Sequence, residues 1–241
     1  HAAFPDPDAD LQRALTRLRA EPERVTAPLD ASARVTATLD ARALAMAVRG
    51  LLYSVESRAL IPAVLHAAAV GDDAAIAPLI VRGAGVAARE LSVGLFLSVV
   101  CAEQVAGVTP REAEAAAAGT MLGLARAGPI LRACTFWPRG RVPADFHTPV
   151  ESDAPFLLLS GTMDPATPMQ WAERARATLP DAQHLVVPGG AHDVAGIGCV
   201  PAIVARFLDA PRAPVDASCV VPVRTKFVTR LARCIAAFAR W

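Results

Sequence analysis

The chain has 241 residues, of which 54% are hydrophobic and 20% charged, and its formal net charge is +1. This length fits one large domain or one and a half ordinary ones, and the apolar fraction allows a sizeable core. Disordered chains combine low hydrophobicity with high net charge, and nucleic-acid-binding domains normally carry a basic face. The composition therefore argues against both classes.

The longest apolar stretch, residues 91–102, is shorter than the ~18 residues that a membrane span needs. No basic segment followed by a short apolar core opens the chain, so no signal peptide is visible. Because the first residue is His1 rather than Met, we expect either a removed leader or a chain that is part of a longer protein.

Residues 1–150 are predicted to be mainly helical. Asp40 is a candidate helix cap, and Thr109 with Glu112 forms a capping box that has proline at the first helical position. The alanine-rich helix that follows is expected to end at Gly128. The run 95–100 is rich in strand-forming residues and is either a strand or a buried helix, and no other strand is expected in this region.

The pattern changes after a proline-rich linker near residues 136–155. Apolar runs and amphipathic segments then alternate as strand, helix, strand and helix at 156–159, 167–179, 184–187 and 199–208. Thr167 is expected to begin the first of these helices through a second capping box. This alternation predicts a parallel sheet. Because two parallel strands make no stable sheet alone, we expect the sheet to continue in a segment that this chain does not supply.

An acid and a histidine follow the two predicted strands. Asp164 comes after the first strand and His192 after the second, which is the order of acid and base in α/β hydrolases. A buried carboxylate there orients the imidazole, which takes the proton of the nucleophile. The alternatives are a turn-forming aspartate before proline and a solvated loop histidine. Asp193 adjoins His192 but is expected to face away, so we predict Asp164 as the orienting acid and His192 as the base.

The nucleophile of such an enzyme is not visible in the sequence. No Gly-x-Ser-x-Gly motif occurs, and Ser160 lies on the strand that leads to the acid, so it cannot form the nucleophile turn. The loop that would hold the oxyanion is missing too. His66, His147 and His184 are expected to be structural or without a catalytic context. We therefore expect the nucleophilic serine upstream of this chain, and the 241 residues to be inactive by themselves.

The cysteines leave the redox state open. None of the five sits in a Cys-x-x-Cys pair and no histidine lies at finger spacing from them, so we expect no structural zinc site. We also expect no other metal and no cofactor. An odd count allows two disulfides and one thiol, and the simplest pairing by neighbourhood joins Cys101 to Cys134 and Cys199 to Cys219. The alternative is five reduced, buried cysteines in a cytosolic enzyme.

Several segments together resemble the tripeptidyl-aminopeptidase-like group of α/β hydrolases, which is related to proline iminopeptidases. The segment that runs from PFLLLSGTMDP through VVPGGAHD to ARFLD is similar to the C-terminal part of that group. The pieces LLYSVESR, SVVCAEQV and CTFWP are similar to its helical cap, and the likeness runs from about residue 3 to about residue 222. The resemblance implies a partial α/β-hydrolase fold, in which a helical cap region (1–150) precedes the last two parallel strands and their helices (151–222).

The resemblance also implies site residues and a location. It places the acid on Asp164 and the base on His192, and the group's cysteines on Cys101, Cys134, Cys199 and Cys219. Disulfides would imply an exported protein, in the cell envelope, the periplasm or the medium. Members of the group are serine exopeptidases that remove short pieces from peptide N-termini. We therefore expect a peptide substrate and a missing N-terminal half of the hydrolase domain as partner, with an esterase or a non-catalytic peptide-binding cap as alternatives.

One acid of the cap-like region is a candidate for substrate binding. Glu103, in the CAEQ motif, is placed to meet the ammonium group of a peptide, although an ordinary capping or ion-paired surface acid is the alternative. The group tends to have a second acid where Gln104 stands here, so a clamp made of two carboxylates is not expected.

The tail, residues 223–241, departs from the group and is predicted to be an amphipathic helix. Its apolar face contains Phe227, Leu231, Cys234, Ile235, Phe238 and Trp241, and its flanks carry Lys226, Arg230, Arg233 and Arg240. We expect this helix to pack on the domain with Cys234 as a buried thiol. Contact with an anionic membrane is the alternative.

Overall fold

The computed structural model describes residues 3–89, 92–229 and 231. The chain divides into two compact units. As far as its residues are described, the helical unit comprises His1–Gly50, Pro62–His147 and Thr229–Trp241. The sheet unit comprises Leu51–Ile61 and Thr148–Val228. Residues 51–61, which the sequence places in the cap region, thus pack with the sheet.

The N-terminal part of the helical unit contains a helix and a β-hairpin. Helix α1 (Pro7–Ala20) begins at Asp6, whose carboxylate accepts a hydrogen bond from the amide of Ala9. The antiparallel strands β1 (Glu23–Pro28) and β2 (Arg34–Leu39) follow, and helix α5 (Asp73–Arg89) packs on them.

The hairpin corrects the prediction that residues 1–150 hold no further strand. Val25 and Ala27 of β1 point into the core while their neighbours are exposed, which is the alternation of a half-buried strand. Asp30 closes the turn by accepting hydrogen bonds from the amides of Ser32 and Ala33. The alternation is weak in sequence because alanine fills some of the inward positions.

The remaining helices of the described chain before residue 150 are short. They are α2 (Ala41–Leu51), α3 (Val55–Arg58), α4 (Ile61–Val70), α6 (Val93–Val99), α7 (Pro110–Ala117) and α8 (Ala127–Ala133). The ambiguous run 95–100 is helical, and α6 continues as a π-helix over Val100–Gln104.

The capping box at the start of α7 is confirmed, since the hydroxyl of Thr109 accepts from the amide of Glu112, whose carboxylate accepts from the amide of Thr109. The prediction that this helix reaches Gly128 is wrong. Gly119 has a φ of 72°, which ends the helix and starts a turn that Thr120 closes onto the carbonyl of Ala117.

The sheet unit has the predicted strand–helix–strand–helix order. Strand β3 (Phe156–Gly161), helix α9 (Met169–Arg176), strand β4 (Ala182–Val187) and helix α10 (Val200–Asp209) follow one another. The strands β3 and β4 are parallel and paired along their full length, so both end at the same edge of the sheet. Its core consists of Leu185, Val187, Val194, Val200 and Ile203.

Among the described residues, each unit contains one disulfide. Cys101 is joined to Cys134 in the helical unit, and Cys199 to Cys219 in the sheet unit, with Cα separations of 5.2 and 6.3 Å. Residues 223–229 form no helix, and Cys234 with the rest of the predicted amphipathic helix lies outside the described residues. Within the described chain no single helix has both the length and the apolar character to cross a membrane, whereas the bent pair Val55–Val70 and Asp73–Gly83 together meets those two criteria.

Candidate active site

The acid sits in a loop that folds around its own carboxylate. Asp164 follows β3, and its Oδ1 accepts hydrogen bonds from the amides of Ala166 and Thr167 at 2.7 and 2.9 Å. Its Oδ2 accepts from the hydroxyl of Thr167 at 2.7 Å. The predicted capping role of Thr167 is therefore wrong, because its hydroxyl serves the acid while Pro168 stands at the N-cap of α9.

Glycines allow the loop after β3 (162–168, the acid loop) and the loop after β4 (188–199, the histidine loop) to touch. A Cβ atom on Gly161 would overlap the carbonyl oxygens of Gly190 and Ala191, so only glycine permits this approach. The amide of Met163 donates to the carbonyl of Gly190 at 2.9 Å, and the amide of Gly189 donates to the hydroxyl of Thr162 at 2.8 Å. These bonds tie the two strand ends together.

The structure brings the predicted acid and base into contact. Nδ1 of His192 lies 3.0 Å from Oδ2 and 3.1 Å from Oδ1 of Asp164. The carboxylate side chain is 3% exposed and the imidazole 39% exposed. Because an ionised carboxylate only accepts, Nδ1 must carry the proton, and the neutral imidazole keeps its lone pair on Nε2. The pair thus presents a basic nitrogen from a fixed tautomer.

The hydrogen bonds around Asp164 keep it ionised. Burial by itself raises the pKa of this carboxyl, but the backbone and hydroxyl of Thr167, the amide of Ala166 and the His192 imidazole outweigh it. Together they lower the pKa of Asp164 to about 2. At neutral pH the acid is therefore a stable negative partner for an imidazolium.

Tyr53 also contacts the histidine, which the sequence did not indicate. Its carbonyl accepts the amide hydrogen of His192 at 3.2 Å. Its ring centroid lies 5.0 Å from that of the imidazole, at an interplanar angle of 72°. No sequence motif around Tyr53 predicts this contact, because it joins segments that are far apart in the chain.

The other candidate residues from the sequence are described by contacts outside the Asp164–His192 pair. Asp193 accepts from the amide of Ala195, and His66 meets Asp10 with Nδ1 at 3.1 Å from a carboxylate oxygen. Glu103 lies half-buried on the π-helix of the helical unit. Its role in substrate binding, like the catalytic roles of Asp164 and His192, stays a prediction.

Three further side chains form a hydrogen-bonded relay between the sheet and α9, in which Ser160 and the His184 side chain are buried and Glu173 is half-exposed. Nε2 of His184 lies 2.9 Å from the hydroxyl of Ser160, and its Nδ1 lies 2.6 Å from a carboxylate oxygen of Glu173. The hydrogen bond with His184 lowers the pKa of the Glu173 carboxyl. Ser160 is 5% exposed and stands on β3 one residue before its last, Gly161. This arrangement resembles a nucleophile with its base, but a substrate carbonyl has no access to the serine.

No group of three histidine, cysteine, aspartate or glutamate side chains in the described chain could hold a metal ion.

Comparison with known families gives one match. Residues 124–219 match the model of an α/β-hydrolase family described as TAP-like protein. The resemblance to the C-terminal part of a TAP-like hydrolase is thereby confirmed for this stretch, which is less than half of the chain. It includes both strands of the parallel sheet, Asp164 and His192. No curated protein and no solved structure matches the chain.

Proposed function

We propose that the chain carries the acid and the base of a serine exopeptidase that removes short pieces from peptide N-termini. One observation carries this proposal. His192 is oriented by both oxygens of Asp164 across the ends of two adjacent parallel strands, and its Nε2 has no hydrogen bond to any described residue. In open parallel sheets, chemistry is placed at this edge.

The proposed reaction needs a serine that the 241 residues do not provide in a nucleophile turn. Its hydroxyl would give its proton to Nε2 of His192 while the oxygen attacks the peptide carbonyl. The imidazolium, stabilised by Asp164, then gives that proton to the leaving amine, which leaves an acyl-enzyme. Water repeats the sequence and releases the acid product. We propose that the serine belongs to an N-terminal half of the hydrolase domain.

Features of the helical unit support the choice of substrate. Glu103 would meet the free ammonium group of a peptide, and it lies on a π-helix, a local distortion that is frequent at functional sites. The segment is anchored by the Cys101–Cys134 disulfide. The two disulfides indicate an oxidising compartment, so we propose that the protein works outside the cytosol.

The test compares the complete gene product, including any upstream sequence, with residues 1–241 alone. The substrates are a tripeptidyl anilide with a free N-terminus, the same anilide with a blocked N-terminus, and a simple aryl ester. We expect hydrolysis of the free peptide by the complete protein only, and a loss of roughly 10⁴-fold or more in His192→Gln. His147→Gln is the control, because His147 is an exposed histidine outside the sheet unit.

Three other results would contradict the proposed function. Ester hydrolysis without peptide hydrolysis would replace the exopeptidase by an esterase. Peptide binding without hydrolysis in the complete protein would indicate a non-catalytic cap. Activity that survives His192→Gln would remove the proposed base.

A further inference from the structure

The histidine loop is supported from a segment that precedes it by more than a hundred residues. Residues 51–61 belong to the sheet unit, and Tyr53 contacts His192 through both its carbonyl and its ring. The carbonyl accepts the backbone amide hydrogen of His192, and the ring packs against the imidazole in an edge-type contact. One residue therefore limits both the position and the rotation of the base.

Arg58 holds the same loop at its start. Its Nη2 donates to the carbonyl of Gly189 at 2.9 Å, and Nε and Nη2 reach the hydroxyl of Thr225 at 2.9 and 2.6 Å. The residue is only 6% exposed. Burial lowers the pKa of the guanidinium, although the carboxylate of Glu56 acts in the opposite direction.

The burial of Arg58 is costly for stability. Its Nη1 is buried without a hydrogen-bond partner among the described residues, and an unsatisfied buried donor is unfavourable. The bonds that it does make end on the backbone of the histidine loop and on Thr225. We therefore explain the burial of Arg58 by its effect on the position of this loop rather than by a gain in stability.

We propose that Tyr53 and Arg58 are positioning residues for His192. This inference rests on the proposed function in so far as His192 is taken to be the general base. A base must hold Nδ1 on Asp164 while Nε2 faces the reacting serine, and a small misplacement of such a group is costly for catalysis. Arg58 fixes the entry to the loop at Gly189, and Tyr53 fixes the backbone and the ring of His192.

The experiment uses the whole chain with ¹⁵N-labelled histidine and measures, by NMR, the solvent exchange of the Nδ1 proton of His192. Tyr53→Ala removes the ring, and Tyr53→Phe keeps it as the matched control. We expect exchange in Tyr53→Ala to be faster by about tenfold or more, and exchange in Tyr53→Phe to stay within about twofold of the wild type. Arg58→Lys, which keeps the charge but loses the planar fork, should fall between these values.

Two additions keep the inference falsifiable. If Tyr53→Ala does not fold, Tyr53→Leu supplies an apolar side chain without the aromatic edge and should show the same faster exchange. In the complete protein, Tyr53→Ala should lower kcat about tenfold with KM within about twofold, as expected for an effect on the reacting geometry rather than on binding.

The outcomes separate this inference from the proposed function. Unchanged exchange and unchanged kcat in a folded Tyr53→Ala protein would overturn the positioning role. If hydrolysis does not depend on His192 while Tyr53→Ala still speeds the exchange, the proposed function fails and the coupling of Tyr53 to the imidazole stands.

Discussion

The hydroxyl of Thr167 and the carboxylate of Asp164 form a closed unit, with Oγ1 2.7 Å from Oδ2 and the amide of Thr167 2.9 Å from Oδ1. The same hydroxyl oxygen lies 3.3 Å from Nδ1 of His192. Thr167 therefore contacts both members of the pair and keeps the carboxylate facing the imidazole. The hydrogen bonds from Thr167 are among those that lower the pKa of Asp164.

We expect Asp164 to make stability depend on acid pH. Its pKa is lowered to about 2 in the folded chain, so its contribution is fully present above the usual carboxyl range and is lost as pH falls through about 4 to about 2. Because solvent screens the interaction with the part-exposed His192 imidazole, we expect Asp164 to contribute about 1–2 kcal/mol to the free energy of unfolding. Denaturant unfolding of wild type and Asp164→Asn between pH 2 and 7 measures it.

The matched control for this prediction is Asp193→Asn, which changes an acid of the same loop as His192 whose carboxylate accepts from the nearby amide of Ala195. Its stability difference from the wild type should be small at every pH in the series. If the free energies of unfolding of wild type and Asp164→Asn differed by the same amount at pH 2 and pH 7, the lowered pKa of Asp164 would be contradicted.

Gly161 is predicted to be intolerant of any side chain. An added Cβ would overlap the carbonyl oxygens of Gly190 and Ala191, which are backbone atoms and cannot move aside cheaply. We expect Gly161→Ala to destabilise the chain by about 1–3 kcal/mol and to separate Asp164 from His192. Chemical denaturation gives the first quantity, and the His192 imidazole resonances report the second.

Gly196→Ala provides the comparison, because an added Cβ there would meet no atom within 4 Å. Its stability should stay within about 0.5 kcal/mol of the wild type. Similar losses in both variants would mean that general glycine flexibility, rather than the close approach of the two loops, accounts for the effect.

The sheet unit was predictable because each signal was local and strong. The apolar runs at 156–159 and 184–187 are bounded by proline and glycine, and both became parallel strands. The positions of Asp164 and His192 followed from the rule that parallel strands end at one edge. Sequence alone could thus bring the acid and the base together.

The features that the sequence did not predict have physical causes of three kinds. The hairpin was missed because small alanines replace the large apolar residues that make alternation visible. Thr167 matched a capping pattern, but its hydroxyl donates instead to the Asp164 carboxylate, which is a stronger acceptor. The contributions of Tyr53 and Arg58 depend on contacts between distant segments, which no local pattern encodes.

The disulfides are predicted to stabilise each unit separately. The bonded cysteines are separated by 33 residues in the helical unit and 20 in the sheet unit, and closing loops of this size contributes roughly 3–4 kcal/mol each in the chain-entropy model. Cys101→Ser/Cys134→Ser and Cys199→Ser/Cys219→Ser should each lower stability by that amount in thermal or urea unfolding. A non-reducing peptide map should show these two linked pairs, and a bridge that includes Cys234 would contradict them.

The Ser160–His184–Glu173 relay is predicted to be structural. The side chain of His184 is only 2% exposed, so removing the Ser160 hydroxyl leaves Nε2 buried without this hydrogen-bond partner. Ser160→Ala should therefore destabilise the chain by about 1–3 kcal/mol. Glu173→Gln should have a smaller effect, because Glu173 is half-exposed and water can replace part of its interaction.

A double variant separates this structural role from a catalytic one. Replacing both partners of a buried hydrogen bond by apolar groups can be nearly neutral, so Ser160→Ala/His184→Leu should lose less stability than the sum of the two single variants. A buried serine should also resist a fluorophosphonate probe, because the reagent must reach Oγ. If the probe labels Ser160 and Glu173→Gln or His184→Leu abolishes that labelling, the relay is an activated nucleophile, and the serine proposed to lie outside the 241 residues is then not needed.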